Sequence, residues 1–285
     1  MEDTILTTTI LPLSLFIIML GMGLSLVVAD FKRIALYPKA TIIGLVNQLI
    51  LLPIIAFAIV SMLNLAPMVA VGFMLLAACP GGVTSNLITH VSRGDTALSI
   101  TLTAISSFAS VLTIPFIISS SLVHFLGAAQ TIELPVAKTI VQILAITIVP
   151  VSIGMTVRHF FPHFADRMDK PTRLFSAVIF LIILISIIAT NTETIRLYFF
   201  EFGGVSLLLN LITMGLGFLI AKFFNLNLPQ SISISIESGI QNSALAIVIA
   251  TSILQQNDLS LPAAIYGLIM FLPGGFMMWY FGSRK

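Results

Sequence analysis

Residues 175–189 read FSAVIFLIILISIIA, a run that carries no charged side chain and is apolar on every face of a helix. Strands of a transmembrane β-barrel instead alternate in polarity over about 10 residues. With its apolar neighbours, the run is long enough to cross a hydrocarbon core of ~30 Å as a helix. Similar runs recur along the whole chain, which predicts an all-α polytopic membrane protein.

The composition excludes several other classes of protein. The 285 residues are 58% hydrophobic and 8% charged, whereas soluble domains carry about 25% charged residues. The net charge of +2 argues against nucleic acid as a partner. A single cysteine, Cys79, excludes an intramolecular disulfide and a multi-cysteine metal site.

Breaks of glycine, proline and charge divide the chain into about nine predicted transmembrane segments. Short loops join them, so a single membrane domain over 1–285 is the predicted organisation. The third and eighth segments differ from the others because polar residues and glycines interrupt them. The predicted segments are 9–30, 37–62, 67–91, 95–126, 135–159, 172–194, 203–224, 231–254 and 259–282.

The basic residues predict the orientation, since Lys and Arg concentrate in cytoplasmic loops. Only Lys138 and Arg196, of the 13 basic residues, follow even-numbered segments. The N-terminus is therefore expected outside and the C-terminus in the cytoplasm, and the short chain is typical of a bacterial inner membrane. The remaining basic residues follow odd-numbered segments: Lys32, Arg33, Lys39, Arg93, Arg158, Arg167, Lys170, Arg173, Lys222, Arg284 and Lys285.

The order of interruptions also indicates an internal repeat. Segments one to four match segments six to nine in their sequence of long and interrupted spans. The unpaired fifth segment would invert the second copy in the membrane, as in many secondary transporters. A plain bundle without repeats is the alternative.

Glu237 is the only one of the 11 acidic residues that lies within a predicted segment rather than at its end or in a loop. A carboxylate at that depth costs about 2.5–3.5 kcal/mol on insertion scales. No basic residue lies within a segment to pair with it. A proton or a metal ion is therefore the simplest companion.

Two polar breaks accompany this carboxylate. The eighth segment contains QSISISIESGIQN (230–242), and the third contains CPGGVTSN (79–86). Pro80 removes a backbone donor, and the two glycines after it let the helix unwind. Backbone freed at membrane depth must line a cavity or bind something, and paired broken helices indicate the central site of a transporter.

The side chains around the breaks offer oxygen ligands, which hard cations prefer. Soft sulfur or imidazole clusters, which zinc and copper favour, are absent from the sequence pattern. The ligand chemistry therefore fits sodium, as it fits other hard cations, with proton coupling through Glu237 as the alternative. The candidate oxygen ligands are Glu237, Ser85, Asn86, Ser99, Thr103, Gln48 and Gln241.

Two runs of the sequence resemble the signature segments of the bile acid:sodium symporter family: CPGGVTSNLITHVSRGDTALSITLT (79–103) and ESGIQNSALA (237–246). The position of Gln48, five residues before Pro53, also resembles that family. The similarity extends over essentially the whole chain. It implies a panel (about 9–30 and 135–194) and a core (about 37–126 and 203–282), with two discontinuous helices crossing in the core.

The resemblance also implies two sodium ions and no organic cofactor. It implies that Val83, Thr84 and Asn242 contact the substrate. The sequence departs from the family in two places. Val83 stands where a hydroxyl side chain is common, and Phe271, Leu272 and Pro273 stand where some members have polar substrate contacts. The implied ligands of the first ion are Ser85, Asn86, Ser99, Thr103 and Glu237. Those of the second are Gln48, Glu237, Gln241 and the backbone of Ser238 and Ile240.

These features predict a symporter that imports an organic anion by alternating access. The anion would be bile acid-like or a small carboxylate such as pantothenate or its precursors. The expected partners are this anion and the lipid bilayer, with a monomer as the expected assembly. The alternatives are a proton-coupled transporter or a membrane receptor; an enzyme is disfavoured because no catalytic motif is found.

Overall fold

The computed structural model describes residues 9–127, 135–190 and 192–283; Arg284 and Lys285 of the charge count lie outside it. This part of the chain is helical and contains no β-strand. Its helices are α1 (Leu11–Ser25), α2 (Val28–Leu36), α3 (Pro38–Val46), α4 (Leu52–Met62), α5 (Pro67–Ala78), α6 (Val83–Val91), α7 (Thr96–Leu126), α8 (Val136–Phe160), α9 (Pro162–Thr190), α10 (Thr192–Phe223), α11 (Leu228–Gly239), α12 (Ser243–Val248), α13 (Ser260–Ile269) and α14 (Phe271–Gly282).

Five helical stretches within the described residues are long and apolar enough to cross a membrane, and a bent pair, α1 with α2, raises the number to six. The prediction of a multi-pass helical membrane protein is confirmed. The interrupted segments contribute shorter apolar helices, so the number nine stays a prediction. The five stretches are Pro38–Met62, Thr96–Leu126, Val136–Phe160, Phe199–Phe223 and Asn257–Gly282.

The predicted end of the first segment at residue 30 is wrong. Helix α1 ends at Ser25, and α2 leaves it at an angle of 62°. Helix α2 is amphipathic, buries no residue and carries Asp30, whose carboxylate accepts a hydrogen bond from Val27 N–H at 2.8 Å. Such a helix suits the membrane–water interface, because its charged residues would be costly in the hydrocarbon core.

The apolar stretches of the sixth and seventh segments begin close to the predicted 172 and 203, at Leu174 and Phe199, but the helices that contain them begin earlier. Helix α9 begins at Pro162 and α10 at Thr192. The hydropathy pattern marks where the apolar part of each helix begins, whereas the helical hydrogen bonding extends into the charged residues before it. The residues predicted as a basic loop after 159 are therefore mostly helical.

The two interrupted segments lie at the centre of the packing. Helix α11 contacts α3, α6, α7 and α10, while α1 packs mainly against α8 and α9 and also contacts α12. Every residue from Val69 to Ala78 of α5 and from Ser231 to Gly239 of α11 is buried. The polar breaks at the ends of these helices are thus surrounded by protein rather than by lipid.

Candidate functional site

The two breaks meet and hydrogen-bond to each other across the molecule. Gly82 N–H donates to the carbonyl of Ile240 at 2.7 Å, and Asn242 N–H donates to the carbonyl of Pro80 at 2.9 Å. Gly81 and Gln241 form an isolated antiparallel bridge between these bonds. Each break therefore satisfies backbone groups that the other leaves free, as buried backbone requires. We call this region the crossing.

Side chains from other helices satisfy further carbonyls of the crossing. The carbonyl of Gly239 accepts hydrogen bonds from Asn210 Nδ2 at 2.8 Å and from the Tyr266 hydroxyl at 2.9 Å. The Cys79 carbonyl accepts one from Gln48 Nε2 at 3.1 Å. These contacts hold the end of α11 and the end of α5 in their unwound geometry.

The serine-rich sequence of α11 is accommodated by carbonyl acceptors. Ser233 donates to the carbonyl of Asp95 at 3.0 Å, and Ser235 donates to the carbonyl of Met214 at 2.8 Å. Both bonds reach neighbouring segments, so they tie α11 to the start of α7 and to α10. The serines thereby fix the position of the helix that carries Glu237.

Glu237 is 1% exposed, and three hydroxyl groups surround its carboxylate. Oε2 accepts hydrogen bonds from Ser85 Oγ at 2.7 Å and from Ser99 Oγ at 3.1 Å, and Oε1 accepts one from Thr103 Oγ1 at 2.5 Å. The only ion pair found in the described part of the chain, Arg158–Asp166, does not involve this carboxylate. Its negative charge therefore has hydroxyl partners but no cation beside it.

Two hydroxyl hydrogens beside Glu237 each face two acceptors. The single hydroxyl hydrogen of Ser99 faces both Glu237 Oε2 and Asn86 Oδ1, the latter at 2.8 Å. The hydrogen of Thr103 likewise faces Glu237 Oε1 and the Ser99 carbonyl, the latter at 3.0 Å. Since a hydroxyl supplies only one hydrogen, a bound cation would satisfy the acceptors that are left over. We call Ser85, Asn86, Ser99, Thr103 and Glu237 the carboxylate cluster.

A second group of oxygens lies on the other side of the same helix break. Gln48 Nε2 donates to Gln241 Oε1 at 2.7 Å, and Gln241 Nε2 donates to the Ser238 carbonyl at 3.0 Å. Ile240, the remaining predicted contributor, directs its carbonyl to Gly82 N–H. We call Gln48, Gln241 and the carbonyls of Ser238 and Ile240 the amide cluster.

Gln48 reaches this cluster from a widened helical turn. Residues Asn47–Leu51 form a π-helical turn in which Leu52 N–H bonds to the Asn47 carbonyl. Pro53 follows directly and has no N–H to continue the regular pattern. Such π-turns often mark functional positions, and this one places Gln48, which is 1% exposed, against both breaks.

Beside the crossing lies a cavity of about 380 Å³, which we call the crossing cavity. Val83, Thr84 and Asn242, the three predicted substrate residues, all line it. Phe271 also lines it, whereas Leu272 is 69% exposed and neither it nor Pro273 belongs to the lining. Of the three apolar residues that stand where some family members have polar contacts, only Phe271 therefore changes the polarity of this cavity.

A smaller cavity of about 250 Å³ reaches the carboxylate cluster from another side. It is lined by Asn86, Ser25, His90 and Thr96, among others. Asn86 is partly exposed in it, while Ser85 and Ser99 behind it are fully buried. Only the Asn86 side chain therefore separates the buried part of the carboxylate cluster from this smaller cavity.

The structure thus brings together the predicted residues of each group, but sequence reasoning missed Asn210 and Tyr266. Both are fully buried, and Asn210 Nδ2 also donates to the Tyr266 hydroxyl at 3.1 Å. Asn210 stands within the apolar run LLLNLITMGLG (207–217), where a lone amide is a detectable signal. Tyr266 has no comparable sequence signal, because its partner lies 27 residues away along the chain.

Replacing Tyr266 with phenylalanine is expected to lower the stability of the protein by about 1 kcal/mol, the typical net value of one hydrogen bond. The ring keeps its packing, so the change removes only the hydrogen bonds of the hydroxyl group, which donates to the Gly239 carbonyl and accepts from Asn210 Nδ2. The thermal unfolding temperature of purified protein in detergent measures the effect. Tyr37→Phe, at a 51% exposed position, is the control and should unfold like the wild type; equal values for both variants would contradict the role of the Tyr266 bond.

Comparison with known proteins adds an independent finding. Residues 12–196 match the model of the Sodium Bile acid symporter family, a range that includes the first break but not Glu237. An uncharacterised sodium-dependent transporter of Bacillus subtilis (strain 168) is 31% identical over 94% of this chain and 81% of its own length.

Eukaryotic proteins show similarity of the same kind. A probable chloroplastic sodium/metabolite cotransporter of rice (Oryza sativa subsp. japonica) is 28% identical over 99% of this chain and 66% of its own length. The hepatic sodium/bile acid cotransporter of Rattus norvegicus is 26% identical over 93% of this chain and 71% of its own. These alignments extend across both breaks, since they cover nearly all of the chain.

Proposed function

Because the chain belongs to the sodium bile acid symporter family, we propose that it imports an organic anion together with sodium by alternating access. The family consists of transporters rather than enzymes. The relatives named above are described as a sodium-dependent transporter and as cotransporters of sodium with a metabolite or a bile acid. The observation that carries the proposal is the buried carboxylate of Glu237, surrounded by oxygen atoms and without a cationic side chain.

The two oxygen clusters are the proposed positions of two sodium ions. The carboxylate cluster would hold the first ion, where the surplus of acceptors calls for a positive charge. The amide cluster, with Glu237, would hold the second through the amide oxygens of Gln48 and Gln241 and the carbonyls of Ser238 and Ile240. A pair of ions would compensate the cost of burying Glu237 unpaired, which amounts to several kcal/mol.

Sodium binding is proposed to prepare the crossing for the anion. Ions bound to residues of α6, α7 and α11 would hold the two breaks in one geometry, so that Val83, Thr84 and Asn242 face the anion together. Thermodynamic linkage then requires that the anion strengthens sodium binding by the same factor. With such coupling, sodium and the anion each bind more weakly when the other is absent.

Alternating access is proposed to arise from rocking of a panel (about 9–30 and 135–194) against a core (about 37–126 and 203–282). Packing of α1 against α8 and α9, rather than among the helices that carry the clusters, supports this division. Inverted repeats often move in this way around a fixed site. The cytoplasmic side would be that of the basic residues, including Arg158, whose guanidinium donates to the Leu24 carbonyl beside α2 at 3.0 Å.

Sodium is expected to raise the unfolding temperature of the purified protein, whereas choline chloride at equal ionic strength is not. A ligand present at about 100 times its Kd stabilises the folded state by about 2.7 kcal/mol. The measurement is a thermal unfolding series over increasing sodium at fixed pH. Potassium serves as the control for a general effect of small cations.

Uptake into proteoliposomes separates sodium coupling from proton coupling. Replacing external sodium with choline at fixed pH should abolish concentrative uptake of a transported anion. Unchanged uptake in choline, together with dependence on a pH gradient, would contradict the sodium scheme and favour Glu237 as a proton carrier. Binding of an anion without any transport would instead indicate a receptor.

A further inference from the structure

Among the side chains that the structure describes, none that lines the crossing cavity is charged. Helix α9 contributes Phe180, Leu181 and Leu184, and the opposite wall includes Leu268 and Phe271. A second charge on a ligand would be buried here without a partner, and an unpaired buried charge costs several kcal/mol. The walls therefore accept an apolar body but oppose a second charged group.

One end of the crossing cavity is suited to a single anionic group. Helix α6 begins there with Val83 and Thr84, whose backbone N–H groups have no hydrogen-bond partner among the described residues, and no side chain caps the helix. Free amides at a helix start favour an anion. The Asn242 side chain lies beside them: its oxygen accepts from Leu245 N–H at 3.0 Å, and its amide nitrogen has no partner in the described part of the chain.

A buried hydroxyl at the same end supplies independent evidence for a ligand. Ser243 lines the crossing cavity and is 1% exposed, and its Oγ atom has no hydrogen-bond partner among the described residues. Leaving a buried hydroxyl unpaired costs about 1–3 kcal/mol. A polar group of a bound ligand next to the start of α6 would remove that cost.

The charge balance at the crossing and the volume of the cavity further restrict the class of ligand that can bind. Two sodium ions beside Glu237 would leave one net positive charge at the crossing, which a monovalent anion neutralises and a divalent anion exceeds. The volume of about 380 Å³ lies near the lower end of the roughly 300–1,000 Å³ of ligand pockets. The body of the ligand is therefore compact, such as a branched chain or a single ring.

We propose that the transported anion is a compact monocarboxylate with an apolar body. Dicarboxylates, polyhydroxylated acids and steroid-sized anions are rejected. The carboxylate lies at the start of α6 beside Asn242 and Ser243, and the apolar body lies against α9 and Phe271. This inference rests on the proposed sodium symport, whose ions supply the compensating positive charge.

The test compares four anions by their effect on the unfolding temperature of the purified protein in saturating sodium chloride. Hexanoate, adipate and gluconate share a six-carbon chain and differ in a second carboxylate or in hydroxyl groups, and cholate supplies the steroid. Hexanoate is expected to bind at least about tenfold more tightly than adipate, because adipate buries an unpaired charge. Gluconate and cholate are expected to bind more weakly than hexanoate as well.

A matched pair of variants tests the cavity wall directly. Leu181 and Ile182 are adjacent on α9 and similarly exposed, at 51% and 55%, but only Leu181 lines the crossing cavity. Leu181→Lys provides a partner for a second carboxylate and is expected to shift the preference toward adipate by about tenfold. Ile182→Lys should leave the preference of the wild type unchanged.

The outcomes separate this inference from the function on which it rests. Equal or tighter binding of adipate, gluconate or cholate by the wild type would overturn the proposed class. Stabilisation by sodium with no further effect of hexanoate would also overturn it, while leaving sodium coupling in place. Absence of stabilisation by sodium itself would overturn both proposals.

Discussion

Replacing Glu237 with glutamine or alanine is expected to abolish sodium-dependent uptake while leaving an assembled protein. Glutamine keeps the size of the side chain and one oxygen that can accept a hydrogen bond from Ser85 or Thr103, but it replaces the other oxygen with an NH2 group and removes the negative charge. Loss of one partner from a buried charge pair costs about 3–5 kcal/mol, which corresponds to a decrease in sodium affinity of about a hundredfold or more. Uptake into proteoliposomes and the sodium dependence of the unfolding temperature measure the effect.

The stability of the glutamine variant without sodium distinguishes a lost ion from a damaged fold. Because the variant no longer buries an uncompensated charge, its unfolding temperature in choline should equal or exceed that of the wild type. Glu201→Gln, at an exposed position, is the control and should keep both uptake and the response to sodium. Sodium-dependent uptake at the wild-type rate by Glu237→Gln or Glu237→Ala would refute the proposed ion coupling.

Replacing Gly81 with alanine is expected to disrupt the crossing and the carboxylate cluster together. A Cβ atom at this position would lie 2.0 Å from Glu237 Oε1 and 2.6 Å from its Cδ atom. The carboxylate cannot easily move away, since three hydroxyl groups hold it. Overpacking of a dense interior typically costs about 1–3 kcal/mol, and displacement of Glu237 should eliminate the response to sodium.

Gly275→Ala is the matched control for this change, because a Cβ atom at Gly275 meets no other atom within 4 Å. Alanine is favoured over glycine in a helix by up to about 1 kcal/mol, so this variant should be as stable as the wild type or slightly more stable. Unfolding temperatures with and without sodium compare the two. Retention of the full sodium response by Gly81→Ala would show that the close approach to Glu237 is not required.

Much of the candidate site was predictable because the membrane makes polar residues conspicuous. A carboxylate, or a helix break that leaves backbone groups without hydrogen bonds, is costly in hydrocarbon. Glu237 and the two breaks can therefore be recognised from the sequence alone. The side chains around the breaks supplied the candidate oxygen ligands, including Ser99 and Gln48, and the resemblance to the family divided these ligands between two ions. Asn210 and Tyr266 were not predicted, because their role depends on a contact with Gly239 that no local sequence pattern encodes.

Helix ends were less predictable than helix existence. Hydropathy located the apolar parts of α9 and α10 but not the charged turns before them, since helical hydrogen bonding continues where the apolar residues stop. The break between α1 and α2 was missed for a related reason. Leu26 and Val27, which separate the two helices, are as apolar as a membrane span, so the bend leaves no polar signal.

The amino-acid sequence by itself determined that the chain is a helical membrane protein with one intramembrane carboxylate and two broken segments. These properties follow from the transfer of single side chains between water and hydrocarbon, which depends on local composition. Only the tertiary structure decided how the two breaks hydrogen-bond to each other and which oxygens surround Glu237. It also decided that Gly81 lies against Glu237 and that a cavity whose described lining residues are uncharged adjoins the crossing, because these relations join residues more than 100 positions apart.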